Sequence, residues 1–403
     1  MRSRIGWLLL WLFAATCCIG QAWGAQRDLI VEDLLCRGNA TTSCSFILSH
    51  LYLAPGDRLY EEEIQNAQLR LSSLPNFRSV HIYLEKGATR GQARVIVEVV
   101  EADPVAKELA AGTLVLDSTL SQRFTGRLSH LNLLGGGEIL DFAAQGTVAA
   151  GLGQGVSARL QYVEPRLFDT TRYFLIAGLS SLHDKTRFNQ GDFVKWQEFG
   201  IDAALGRRFG AISYVIVGYQ QLAISDIEFR LTRPDGSIDA GTTSLDGRWI
   251  FSYGWNAEDD LYFPTRGSRF NLELAVDTIG KTKGDSLRLF VGYRTTWQSS
   301  PESVWTAQLG GTPASQYRRS TLGTGLASNV GYARPLQAHD NFAGSKRGRW
   351  YVEAGLSRLD YTTTEGLLWA LGAKAGVRFE TKSFGIVDLH VIASTDTRRE
   401  EDK

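Results

Sequence analysis

The chain has 403 residues, with 43 basic and 43 acidic side chains, 42 glycines, 9 prolines and 11 % aromatic residues. Balanced charge excludes the basic footprint of a nucleic-acid-binding protein, so nucleic acid is not expected as a partner. Many glycines and aromatics with few prolines suit long strands and tight turns, and they exclude collagen-like or disordered chains.

Residues 1–24 read as a secretory signal. Arg2 and Arg4 supply positive charge, Trp7 to Ile19 is apolar, and Ala22-Trp23-Gly24 offers a cleavage site. Of the four cysteines, two lie in this segment, which leaves Cys36 and Cys44 in a compartment that permits disulfides. A bridge between them and a pair of buried free thiols are the two readings. No further His or Cys stands nearby at metal-ligand spacing, so no metal site is expected. After the signal no apolar run is long enough for a transmembrane helix. A membrane protein of this sequence must therefore be a closed barrel, because each backbone polar group in lipid needs a partner.

Residues 26–103 read as a small α+β domain of order β-α-α-β-β. Leu29 to Leu35 is a strand candidate that ends at Arg37-Gly38-Asn39. Thr41-Thr42-Ser43 offers a cap to a helix through Phe46, Ile47, Leu48 and Leu51. Tyr60 to Leu74 predicts a second helix, with Glu61, Glu62 and Glu63 suited to the positive end of its dipole. Val80 to Leu84 and Ala93 to Val100 predict two further strands.

From residue 105 to 403 the texture is all-β. Phe270, Leu272, Leu274 and Val276 alternate with Asn271, Glu273, Ala275 and Asp277, and the runs from Arg248, Leu287 and Val156 alternate in the same way. Period two gives each strand an apolar and a polar face. A soluble sandwich and an outer-membrane barrel both produce that pattern. Strands of roughly ten residues, long enough to cross a membrane when tilted, favour the barrel. So does the placing of aromatics near strand ends, at Tyr173-Phe174, Tyr253 to Trp255, Trp297, Trp350-Tyr351 and Trp369. About fifteen strands can be drawn, whereas single-chain barrels usually have an even number. A transmembrane antiparallel barrel of about 16 strands is expected, either with one strand missed or with the last one absent.

Enzyme motifs are not found. None of the six histidines forms an HExxH pair, no Gly-x-Ser-x-Gly elbow occurs, and Gly151 to Gly155 lacks a P-loop ending. His183 beside Asp184 is the one faint pointer to hydrolysis. Glu258, Asp259 and Asp260 read as a solvated loop rim. No enzyme activity and no cofactor are expected.

Asp259-Asp260-Leu261-Tyr262-Phe263-Pro264-Thr265-Arg266-Gly267, followed by an alternating strand, resembles the barrel signature of the BamA/TamA family of outer-membrane assembly proteins, also called the bacterial surface antigen family. Asn132 to Glu138 resembles that family's early barrel turn, and Tyr162 to Leu167 the next strand end. The N-terminal unit, with Gly56-Asp57 and Leu74-Pro75-Asn76-Phe77-Arg78-Ser79-Val80, resembles a single POTRA module. Asp260, Pro264, Arg266 and Gly267 are the family-motif positions, with a structural role.

The resemblance implies a barrel that helps polypeptides insert into or cross the bacterial outer membrane, with the POTRA domain in the periplasm. Unfolded outer-membrane or secreted client polypeptides are the implied partners, with periplasmic or lipoprotein partners at the POTRA domain and lipid around the barrel. Strand addition at an exposed sheet edge is the implied mode of docking. The family's long loop carries an Arg-Gly-aromatic tip that pairs with an acid on the barrel wall. Here Ser315-Gln316 stands in place of Arg-Gly. Tyr317 with Arg318 or Arg319 is the implied tip, and Glu353 the wall partner. A second departure is the charged end, Thr395 to Lys403, where the family usually has a closing strand with an aromatic terminus. Phe384 to Ile392 is the last strand that can be drawn, so either that strand is unconventional or the closing strand is lost. The altered tip and doubtful closure motivate a rival expectation, a passive outer-membrane channel or surface antigen without insertase activity.

Overall fold

The computed structural model describes residues 29–116, 119–149, 153–187, 193–230, 244–260, 263–279, 287–315, 324–336, 347–360, 367–381 and 383–396. The expected signal, residues 1–24, lies outside the described residues. No described helix is long and apolar enough to cross a membrane.

The N-terminal domain runs β1 (Leu29–Arg37), α1 (Cys44–Ser49), β2 (Arg58–Leu59), α2 (Glu61–Ser72), β3 (Phe77–Lys86) and β4 (Gln92–Glu101). The expected order holds, with the two-residue strand β2 added against Leu29 and Ile30. The sheet order is β2-β1-β4-β3, which leaves β3 at an edge. Ile47, Ala67 and Leu71 of the two helices, with Leu51 just after α1, pack on Val31, Val95, Val97 and Val99 of the sheet. Ser43 caps α1 by accepting a hydrogen bond from the Phe46 N–H, which satisfies one orphan donor of the first turn. Cys36 and Cys44 form a disulfide with a Cα separation of 5.8 Å, which ties the end of β1 to the start of α1.

The barrel begins with β5 (Val105–Leu116), β6 (Thr119–His130), β7 (Ile139–Ala149), β8 (Gly153–Glu164) and β9 (Tyr173–Arg187). It continues with β10 (Phe193–Phe209), β11 (Ser213–Arg230), β12 (Ser244–Asn256), β13 (Gly267–Ile279) and β14 (Leu287–Ser300). The last five strands are β15 (Ser303–Ser315), β16 (Thr324–Pro335), β17 (Arg347–Asp360), β18 (Leu367–Thr381) and β19 (Gly385–Asp396).

The expected barrel is present, and its fifteen strands, the number that can be drawn in the sequence, close on themselves without the doubtful sixteenth. One pairing departs from the antiparallel pattern. With an odd count the first and last strands run the same way, and β5 and β19 pair in parallel from Glu108 opposite Ile386 to Leu116 opposite Ser394. The charged end does not cost the barrel its closure, because β19 reaches Asp396, beyond the Ile392 limit expected from the sequence. All other barrel pairings among the described residues are antiparallel.

The alternation places apolar side chains outward and polar ones in the lumen. Aromatic rings make an outward band near the rim that faces the N-terminal domain. Phe209 stacks on Tyr253, Phe270 touches Tyr253 and Trp255, and Trp255 touches Tyr293. Trp305, Tyr332 and Trp350 continue the band. Two residues expected in this girdle turn inward instead. Tyr173 and Trp350 take the outward positions of their strands, so the pleat sends the adjacent Phe174 and Tyr351 inward, where both are buried.

Strand direction sorts the connections. Those after β6, β8, β10 and β12 lie on the near rim, beside the N-terminal domain, and β19 ends on the far rim. A cross-linking test follows from the seam register. Cysteine pairs at Leu109/Val387 and Thr113/Val391 are each opposite in the parallel register, so a short bifunctional thiol reagent should join both pairs within the chain. A seam that cross-links Leu109 to Val391 instead would be antiparallel.

Candidate functional site at the seam and the near rim

The seam combines a parallel ladder, which is slightly weaker per residue than an antiparallel one, with small side chains on β5 at Ala110, Ala111 and Gly112. Gly112 is required by its neighbour. A Cβ there would lie 2.3 Å from His390 Nε2, so the His390 ring crosses the seam over bare backbone. His390 Nδ1 lies 3.2 Å from Asp388 Oδ1. Asp388 also accepts from the Tyr351 hydroxyl at 2.7 Å and from Arg378 Nε at 2.8 Å. The lumenal side of the seam is thus a network over β17, β18 and β19 that orients His390, whose ring reaches β5. Further lumenal ion pairs staple the wall, Arg127 to Asp141 of the adjacent strand at 2.7 Å and Arg159 of β8 to Asp202 of β10, across β9, at 3.0 Å.

The turn between β12 and β13 shows what its motif does. Asp259 accepts from the Thr265 and Arg266 amides and from the Thr265 hydroxyl. Burial opposes ionisation of Asp259, and these hydrogen bonds outweigh it, so its pKa lies below the usual carboxylate range. Asp260 accepts from the Phe263 amide at 2.9 Å and from Arg347 of β17. Arg347 and Arg349 lie over the Phe263 ring, 4.6 and 5.0 Å from its centroid, and Arg349 donates to the Pro264 carbonyl at 3.1 Å. Gly267 has φ +108°, and a Cβ would come within 2.1 Å of the Ala257 carbonyl oxygen, so only glycine fits. Arg266 contributes its backbone, while its side chain is exposed. Glu258, whose side chain is 2 % exposed, is gripped by two nitrogens of Arg294. The motif thus pins a near-rim turn to β14 and β17.

The same rim holds the N-terminal domain. The Ser43 amide donates to the Gly135 carbonyl at 2.8 Å, Asn132 to the Thr42 hydroxyl at 3.1 Å, and the Thr171 hydroxyl to the Ser49 carbonyl at 2.9 Å. Asn76 donates to Leu131 O and Arg70 to Gly210 O. Phe46 packs flat on Gly137, where any Cβ would lie 2.2 Å from the ring. The early barrel turn, Asn132 to Glu138, is therefore a socket for α1. Glu101 organises the other side of the socket by accepting from Thr41 N–H and Oγ1–H and from Thr42 N–H. Burial opposes its ionisation, but these bonds prevail and hold its pKa down to about 2.

The site residues drawn from the sequence divide as follows. Asp260, Pro264, Arg266 and Gly267 come together in one turn, and Cys36 meets Cys44. Glu353 is half-buried on the lumenal face of β17, opposite Gly331 and Lys374. Tyr317, Arg318 and Arg319 lie outside the described residues, and the paired glycines Gly310 and Gly311 are within β15. His183 and Asp184 are consecutive on β9, so they point to opposite faces and do not form a dyad. Among the described residues no group of His, Cys, Asp and Glu is placed to hold a metal. Sequence reasoning missed the network at Tyr351, Arg378, Asp388 and His390. All four lie on polar-face positions, but only the register brings them together.

Two outcomes test this geometry. Arg294→Ala leaves the buried Glu258 without its counter-charge and should cost about 3–5 kcal/mol, read as a lower urea midpoint of the folded barrel on unheated gels. Adding Glu258→Gln should recover part of the loss, and no recovery would mean that the pair is not the cause. For Glu101 the folded pKa is depressed, so its contribution is full above the ordinary pKa of 4.5 and disappears as pH falls towards about 2. Protease release of the N-terminal domain should therefore rise over that window. Glu101→Gln should raise release at neutral pH and flatten the window.

Residues 132–370 match the Omp85 superfamily domain. No curated protein sequence matches the chain. Among solved structures, the fold is similar to BamA from Haemophilus ducreyi lacking POTRA domains 1–3, with TM-score 0.51 and 13 % identity over 94 % of this chain and 83 % of that one. It is similar to CdiB from Acinetobacter baumannii, with TM-score 0.61 and 10 % identity over 89 % and 69 % of the two chains. CdiB from Escherichia coli gives TM-score 0.59 and 12 % identity over 88 % and 70 %. These likenesses are of fold. The family match covers more than half of the chain, including the pinned turn between β12 and β13, and on it the protein belongs to the Omp85 superfamily.

Proposed function

We propose that this outer-membrane barrel helps polypeptides to insert into or cross the outer membrane, and that it does so without enzymatic chemistry or cofactor. The N-terminal domain acts as a single POTRA module on the periplasmic side. The observation that carries the reading is an unpaired sheet edge on the docked domain beside a barrel that closes through a parallel seam. β3 is an edge strand of the docked domain, and an unpaired edge is a template for an incoming strand. The barrel beside it closes through its one parallel ladder among the described residues.

In this reading a client adds first to β3 and is then handed to the barrel. Periplasmic or lipoprotein partners would compete for the same edge. The residues Tyr317, Arg318, Arg319 and Glu353 serve as the loop tip and its wall partner, with Lys374 the cation directly across from Glu353. The substitution of Arg-Gly by Ser315-Gln316 favours the second reading, a passive channel or surface antigen.

The two readings separate on liposomes that carry the full chain or a form without residues 26–103. The probe is an unfolded eight-stranded outer-membrane barrel, followed by its folded gel shift. An assembly factor should speed insertion, and the deletion should abolish the gain. Equal insertion with both forms, together with steady ion conductance, would exclude assembly and leave the channel.

A further inference from the structure

A cleft of about 290 Å³ opens between the N-terminal domain and the β8–β9 and β10–β11 turns. Arg70, Arg172, Arg207 and Arg208 line it with Tyr52 and Glu63, so four guanidinium groups face one carboxylate. No arginine of the four is paired with that acid. Arg70, buried, donates to the carbonyls of His50, Leu51 and Gly210. Arg208 donates to the carbonyls of Pro165 and Thr171. Among the described residues the guanidinium groups of Arg172 and Arg207 lie against aromatic faces, Tyr52 at 4.7 Å and Tyr173 at 5.8 Å, and make no hydrogen bond. Arg70 also lies on the Tyr52 ring, at 4.3 Å. The Tyr52 backbone is held at φ +58°, a costly conformation for a bulky residue and one that clusters at ligand clamps. The Tyr52 hydroxyl is buried without a hydrogen-bond partner.

We infer that this cleft binds a phosphate-bearing anion, the headgroup of an anionic phospholipid in the leaflet beside the N-terminal domain. Arginine forks suit phosphate, and the Tyr52 hydroxyl gives a further donor. The setting selects a lipid over other anions. Arg207 lies on the outward face of β10 between Leu205 and Phe209, which are 48 % and 40 % exposed. Phe209 is itself part of the outward aromatic band through Tyr253. The cleft therefore opens where headgroups lie, with apolar side chains next to it for the acyl chains. A lipid there would bridge the domain and the barrel, since Arg70 and Tyr52 come from one and Arg172 and Arg207 from the other.

The test uses the full chain in a neutral detergent, with dioleoylphosphatidylglycerol titrated in and lipid retention read by native mass spectrometry. The double variant Arg172→Gln/Arg207→Gln changes exposed side chains only and should weaken the tightest retained lipid by about tenfold or more. Arg172→Lys/Arg207→Lys should keep most of the affinity. Equal retention by the glutamine pair would overturn the site. Displacement of the lipid by millimolar inorganic phosphate, or by an acidic peptide at the concentration of the lipid, would overturn the lipid assignment.

Discussion

A strand in lipid must find partners for its N–H and C=O groups on both sides, because there is no water to supply them. In this protein that requirement meets an odd number of strands. Fifteen strands that alternate in direction leave the first and last parallel, so closure is possible only through a parallel ladder between β5 and β19. The rest of the barrel's design accommodates that join. Glycine and alanine on β5 admit the His390 ring, and Asp388, Tyr351 and Arg378 fix the ring from the lumen. The result is a closed wall with one join that is chemically unlike the others. Parity also sends the end of β19 to the rim opposite the N-terminal domain.

The second constraint is at the near rim. The turn between β12 and β13 is braced by the buried Glu258–Arg294 pair and by arginines on Phe263, while the turn between β6 and β7 is shaped to seat α1. Buried polar groups without partners cost free energy, and at this joint Asn76, Arg70, Asn132 and Thr171 are matched across the two domains. The N-terminal domain is thus fastened to the barrel, and its β3 edge is presented in a fixed place. Fastening and presentation are what a receiving module requires if strands are to pass to the barrel beside it.

Much of this was legible in the sequence. Period-two alternation in the runs that became β12, β13 and β14 gave the two faces of the wall. Ser43 and Glu61 to Glu63 marked the helix starts, and the signature turn announced itself through Pro264 and Gly267. What was not legible depends on pairing between distant segments. Closure joins β5 to β19 across the whole barrel, and no local pattern states whether that pair is parallel. The inward turn of Phe174 and Tyr351 follows from strand parity, which an aromatic pair such as Tyr173-Phe174 leaves open. The arginine cleft draws on a helix, a turn and a strand end, so its four charges are unremarkable until the domain is docked.

The parallel seam is the central claim, and amide hydrogen exchange of the barrel in lipid nanodiscs tests it most directly. If β5 and β19 are paired, amides in Glu108–Leu116 and Ile386–Ser394 that face the join should be protected well beyond loop amides, yet exchange sooner than those of β10 and β11. Exchange of the join at the rate of the turns would mean an open edge and would contradict the account.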